Sequence, residues 1–124
     1  MTFEMLCEAD HPDYLADNGA FGFRLAREIN SPAFKILYDI YHMHRMGEET
    51  CQAIIDNLDI IAHIHVAGSP LRDFPSPEGE INYGRILSEV HKAGYAGYWG
   101  LEFKPVSDPL QELTQIYGLL SLYV

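Results

Sequence analysis

The sequence predicts an α/β fold built from four strand–helix units, with a parallel sheet covered by helices. Three observations carry this. Four short apolar segments recur with spacings of about 30 residues, the length a parallel crossover unit requires. Amphipathic stretches with recognisable helix starts and stops lie between them. At 124 residues and 48% hydrophobic content, the chain fits one compact domain over 1–124 with a real core, and there is no room for two.

TFEML (2–6) reads as the first strand, followed by the turn-rich DHPDYLADNG. Asp17 or Asn18 can cap a helix through FGFRLAREI, with Phe21, Leu25 and Ile29 on one face, and Asn30-Ser31-Pro32 stops it. FKILY (34–38) is the second strand. DIYHMHRMG reads as a loop leading into a helix, EETCQAIIDNLDI, whose Glu48 and Glu49 suit the positive end of the helix dipole.

IAHIHVA (61–67) is the third strand, and GSPLRDFPSPEGEIN, rich in Gly, Pro and Ser, is a long loop. Asn82 can cap YGRILSEVHKA, which Gly94 ends. GYWGLEF (97–103) is the fourth strand. Asp108, Pro109 and Gln111 then stand at N-cap, N1 and N3 of a last helix, the clearest helix start in the chain.

A formal net charge of −10 argues against partners with a phosphate backbone or an anionic membrane surface. No apolar run approaches the ~20 residues of a spanning helix, and the N-terminus lacks the basic region and cleavage site of a leader. The expectation is a cytoplasmic protein. Cys7 and Cys51 form no CxxC pair and read as reduced, packed thiols.

Each predicted strand carries one metal-capable residue at or near its C-terminal end: Glu4, Asp39, His65 and Glu102. In parallel α/β folds the βα loops converge at that end and strand-tip side chains point into the crevice. Three carboxylates and one imidazole make a hard, mostly oxygen site that suits Mg²⁺ or Mn²⁺ better than structural zinc. Any one strand-end acid can equally be a helix cap or a solvating charge. Glu102 is the most informative singly, because an unpaired carboxylate in an apolar strand is costly. His63, on the same face as His65, reads as a hydrogen-bonded core histidine. His44 and His91 read as solvent-facing, and Tyr38, Tyr41, Tyr95 and Trp99 as packing residues.

YDIYHMHRM, IAHIHVAGSPLRDFPSPEGEINY and GYWGLEFKP together resemble the hydroxypyruvate isomerase family, within the xylose isomerase-like barrels. The likeness runs over essentially the whole chain. It implies that Glu4, Asp39, His65 and Glu102 hold a divalent metal at the ends of strands five to eight of a (β/α)8 barrel. It also implies that His42 and Arg72 hold substrate oxygens, and that Glu80 supports the same loop. By the same likeness, a small hydroxy-carbonyl substrate chelates the metal, and Glu4 and Glu102 transfer a proton through an enediolate. Cys7 departs from the family, which has Asn at that place, so a hydrogen bond orienting Glu4 or the substrate is in question.

A complete barrel takes about 250 residues, so the resemblance implies the C-terminal half of one. Four strands without closure leave two edges that need cover. The expected partner is a second copy, giving a homo-oligomer, or a complementing N-terminal half-barrel. Three functions remain open: an isomerase with hydroxypyruvate as leading substrate, a ketose 3-epimerase with the same ligands, and a metal-binding half-barrel without turnover of its own.

Overall fold

The four strands pair side by side in chain order, all parallel, in a computed structural model that describes residues 1–123. They are β1 (Thr2–Glu4), β2 (Lys35–Asp39), β3 (Ile61–Val66) and β4 (Tyr98–Leu101). The helices are α1 (Gly19–Ile29), α2 (Ile40–Arg45), α3 (Thr50–Ile55), α4 (Tyr83–Lys92) and α5 (Pro109–Leu120). Side-chain alternation divides the sheet into two faces. Ile36, Tyr38, Ile64 and Val66, none of them exposed, form a core with Ile54, Leu87, Val90 and Ile116 of the helices. Leu37, Asp39, His63 and His65 alternate with them and line the other face. A parallel sheet with its core on one side and a polar opposite face is the cross-section of half a barrel.

Each helix begins at a side chain that accepts the N–H three residues on, which satisfies a donor the helix itself leaves unpaired. Asn18, rather than Asp17, caps α1 by accepting from Phe21 N at 2.9 Å. Asn82 accepts from Arg85 N at 3.0 Å, and Asp108 from Gln111 N at 2.9 Å with Pro109 at N1.

Three sequence expectations need correction. DIYHMHRMG is not simply a loop: Asp39 caps α2 within it, accepting from His42 N at 3.3 Å. A six-residue helix is too short to show a clear periodicity. On α1 the buried positions are Gly19, Gly22 and Ala26, whereas Ile29 is exposed. The helix approaches so closely that a Cβ on Gly22 would overlap Met5 Sδ, so small residues make that contact, while Phe21 and Leu25 pack partly buried against the same core as expected. Glu49 does cap α3, accepting from Gln52 N at 2.9 Å. Glu48, however, serves α1 and β2, accepting from Gly19 N at 2.5 Å and from the Tyr38 hydroxyl at 2.9 Å. Among the described residues no helix is long and apolar enough to cross a membrane. Cys7 and Cys51 are free, buried thiols.

The Tyr38 side chain is wholly buried, so removing its acceptor leaves a hydroxyl without compensation. Glu48→Ala is expected to lower the unfolding free energy by about 1–3 kcal/mol, with Glu48→Gln losing less because its amide oxygen still accepts. Urea unfolding measures both, and an unchanged midpoint in Glu48→Ala would contradict the assignment.

Candidate metal centre

Parallel strands in register end together, and that brings the four strand-end residues to one place. Glu4 closes β1, Asp39 closes β2, and His65 is next to last in β3. Asp39 pairs with His65, and His65 with Gly100 of β4. Glu102 lies just past β4, where its N–H donates to Val66 O at 3.2 Å. One ligand atom from each of Glu4, Asp39, His65 and Glu102 lies within 4.8 Å of the others. Contrary to expectation, Glu102 is not a carboxylate inside an apolar strand: β4 stops at Leu101, and the Glu102 side chain is 54% exposed. Asp39 is the ligand candidate that is fully buried. It is also the cap of α2, so the structural and chemical roles fall on one carboxylate.

The cluster gathers positive charge. His65 Nδ1 lies 3.0 Å from Glu102 Oε2 and 3.7 Å from both Glu4 Oε1 and Asp39 Oδ2. The carboxylates of Asp39 and Glu4 stabilise its charged form and push its pKa up to about 10. Burial would raise the Asp39 carboxyl, but His65 and Arg72 beside it hold it below its ordinary value. Arg72 Nη2 donates to Asp39 Oδ2 at 2.6 Å and also to Glu102 Oε2. Its Nη1 meets His42 Nε2 at 2.7 Å, and its guanidinium lies 4.9 Å from the centre of the Tyr41 ring. The Arg72 backbone is left-handed, at φ 55°.

Glu4 Oε1 and His65 Nδ1 are nevertheless buried without a hydrogen-bond partner among the described residues. Buried polar atoms of this kind are rare and call for an explanation. Three acidic groups with one imidazole, two of their atoms unpartnered, fit a hard divalent cation by donor chemistry. The residues that would hold it are Glu4, Asp39, His65 and Glu102.

His42 is 2% exposed and stands behind Arg72. Burial, with Arg72 nearby, keeps its pKa below the ordinary value, so it is neutral. Its Nδ1 meets both the backbone N–H and the Sγ of Cys7 at 3.2 Å. Cys7 therefore contacts His42, and no hydrogen bond joins it to Glu4.

Several supports have no sequence signal. The Tyr41 hydroxyl donates to Asp10 Oδ2 at 2.8 Å, which fixes the ring under Arg72. The Tyr83 hydroxyl donates to Ala67 O at 2.7 Å and clamps the end of β3. Glu80 accepts from Ser69 Oγ at 2.7 Å and ties down the loop after β3, as expected. His44 is half-buried, 3.6 Å from Glu80, while His91 is exposed. His63 is not a hydrogen-bonded core residue. It lies edge-on to His65 with centroids 4.8 Å apart and stacks on Tyr98. A Cβ on Gly100 would collide with the His63 ring, so the strand opposite must carry glycine there.

Becoming a ligand requires His65 to give up its proton. Affinity for Mn²⁺ is therefore expected to climb with pH from neutrality to about 10, the His65 value, with about one proton released per ion from this residue. Calorimetry in buffers of different ionisation enthalpy measures this, and uptake without proton release would contradict it. Gly100→Ala should weaken the same binding at least several-fold by displacing the two imidazoles.

A family model described as Xylose isomerase-like TIM barrel matches residues 7–117. The hydroxypyruvate isomerase of Escherichia coli is 31% identical over 105 residues, covering 85% of this chain and 40% of that protein. The 2-oxo-tetronate isomerase of Pectobacterium atrosepticum is 34% identical, with the same 85% and 40% coverage. Among solved structures, an AP endonuclease, family 2, from Brucella melitensis superposes with a TM-score of 0.85 at 26% identity, covering 93% of this chain and 44% of that one. The chain thus spans about two fifths of the length of the curated relatives it matches. These matches, together with four parallel strands ending in one cluster, show that the chain belongs to the xylose isomerase-like TIM barrel family and carries half of such a barrel.

Proposed function

We propose that this chain forms the metal-binding wall of an isomerase that shifts a proton between adjacent carbons of a small hydroxy-carbonyl compound, with hydroxypyruvate and related 2-oxo acids as leading substrates. The observation that carries this reading is the convergence of Glu4, Asp39, His65 and Glu102. The isomerase activities for which the two bacterial relatives are named favour the isomerase over other chemistry of the fold. Although one structural neighbour is named an endonuclease, a net charge of −10 opposes approach to a phosphate backbone.

The cation proposed is Mg²⁺ or Mn²⁺, and when bound it supplies Lewis-acid polarisation of a substrate carbonyl. The remaining work falls to side chains. Glu4 ends β1 and Glu102 directly follows β4, the two edges of the sheet, so their carboxylates approach the cleft from opposite sides. One removes the proton next to the carbonyl and the other returns a proton to the neighbouring carbon. Positioned acid–base groups of this kind contribute about 10²–10⁴-fold. Asp39 and Glu102, which would help hold the cation, are also the acceptors of Arg72, so with the cation bound the guanidinium would turn its donors to substrate oxygens. Neutral His42, behind Arg72, then hydrogen-bonds a substrate hydroxyl through Nε2.

The partner is part of the proposal. Among the described residues, β1 and β4 have no strand on their outer edges. Beside β4, Tyr98 is 78% exposed, and Leu110 and Tyr117 of α5 are also exposed. A complementing β/α half-barrel, from a second copy or from a separate chain, would cover this edge and complete the pocket wall.

Glu4→Gln and Glu102→Gln are each expected to lower turnover by about 10²-fold or more, read as solvent deuterium exchange at the substrate carbon. Exchange that survives in both variants would overturn the acid–base assignment. In a panel of hydroxypyruvate and ketoses, movement of the carbonyl supports the isomerase, and inversion at C3 supports a ketose 3-epimerase in its place. Solution mass should exceed that of one chain, or rise when an N-terminal half-barrel is added; a fully active lone monomer would contradict the partner.

A further inference from the structure

The candidate centre opens into a cleft of about 780 Å³ whose lining includes Glu4, Asp10, Arg72, Glu102 and Lys104. Its floor is acidic. Glu4, Asp39 and Glu102 converge there, and Asp10 adds a fourth carboxylate on the wall. A substrate carboxylate is repelled by such a floor unless a cation holds it elsewhere in the cleft. Arg72, which lies against Asp39, Glu102 and His42, serves the hydroxy-carbonyl oxygens in the proposed reaction and is not left for the acid's carboxylate.

Lys104 is different. It is exposed, lines the same cleft, and has no carboxylate within 4.0 Å among the described residues. Its backbone is not loose: the Lys104 N–H donates to Arg72 O at 2.7 Å, which laces the segment after β4 to the loop carrying Arg72. Phe103, between Lys104 and Glu102, packs edge-on against Phe74 with centroids 5.9 Å apart and anchors the segment further. The result is an uncommitted ammonium two residues from a proposed proton-transfer carboxylate, on an anchored backbone.

We infer that Lys104 determines specificity by taking the carboxylate of a short 2-oxo or 2-hydroxy acid, so that the acid's hydroxy-carbonyl end lies between Glu4 and Glu102. This rests on the proposed isomerase reading and narrows its substrate class to acid sugars over neutral ones. Lys104 is a binding residue here and takes no part in the proton transfer.

The test compares glycerate with glyceramide, which share their hydroxyls and differ in the charge of one end. Calorimetric affinities are measured for the Mn²⁺-loaded protein, for Lys104→Met and for Lys104→Arg. Wild-type protein should bind glycerate about tenfold more tightly than glyceramide, as expected for one charge-assisted contact. Lys104→Met should remove that preference by weakening glycerate alone, and Lys104→Arg should restore most of it. With hydroxypyruvate, Lys104→Met should raise KM more than it lowers kcat. A glycerate-to-glyceramide ratio that is the same in wild type and Lys104→Met overturns the inference, as does a wild type that binds neither. If no variant turns over hydroxypyruvate but the ratio depends on Lys104, the proposed reaction fails and the carboxylate subsite stands. If turnover is present and the ratio ignores Lys104, the reaction reading stands and the subsite fails.

Discussion

Three carboxylates held around a single imidazole are the constraint on which the rest of this structure turns. Such a group is costly to assemble away from bulk water unless positive charge accompanies it. Everything nearby supplies or steadies that charge. His65 is drawn toward its charged form, and Arg72 reaches across from the loop after β3 to two of the acids. Tyr41 lies under the guanidinium and is itself fixed by Asp10. Even so, three acids face two cations, and Glu4 Oε1 and His65 Nδ1 are buried without a hydrogen bond among the described residues, although His65 Nδ1 lies 3.0 Å from Glu102 Oε2. A divalent ion answers both deficits at once.

The fold explains why the acids meet. In a parallel sheet all strands end at the same side, and alternation sends every second residue to the same face. The helices cover Ile36, Tyr38, Ile64 and Val66, so the intervening Asp39 and His65 face the open side. Tying the ends of β2 and β3 down then becomes a matter of single hydrogen bonds. Tyr83 holds Ala67, Glu48 holds Tyr38, and Asp39 both caps α2 and enters the cluster. The chemistry thus borrows groups that the backbone already needs.

Much of this was legible in the sequence, and for a physical reason. Four strands, the caps Asn82 and Asp108, and the four strand-end candidates for metal binding follow from countable local patterns. What escaped were features set by distant partners. On α1 the fully buried positions are Gly19, Gly22 and Ala26, because Glu48 lies against Gly19 and Met5 against Gly22, and a periodicity of large apolar residues does not show them. Helix α2 was too short to announce itself. Tyr41 reads as a packing residue and Tyr83 carries no signal, yet their hydroxyls hold Arg72's platform and the end of β3. Glu102 was found for a reason that fails, since it lies outside β4 and is exposed, although its place in the cluster is as expected. The resemblance to hydroxypyruvate isomerases added roles for His42 and Arg72 that no local pattern carries. It could not foresee that Cys7, at the family's Asn position, would touch His42.

Half a barrel leaves the other wall of the cleft to be supplied, yet all four candidate ligands belong to this half. The centre can therefore be examined apart from the question of turnover. The most direct measurement is a crystal structure of the protein grown with Mn²⁺, read by anomalous scattering at the manganese edge. The account predicts one strong peak bonded to Glu4, Asp39, His65 and Glu102, with the Arg72 guanidinium displaced from Asp39. A strong peak elsewhere, with Arg72 still bridging Asp39 and Glu102, would contradict it.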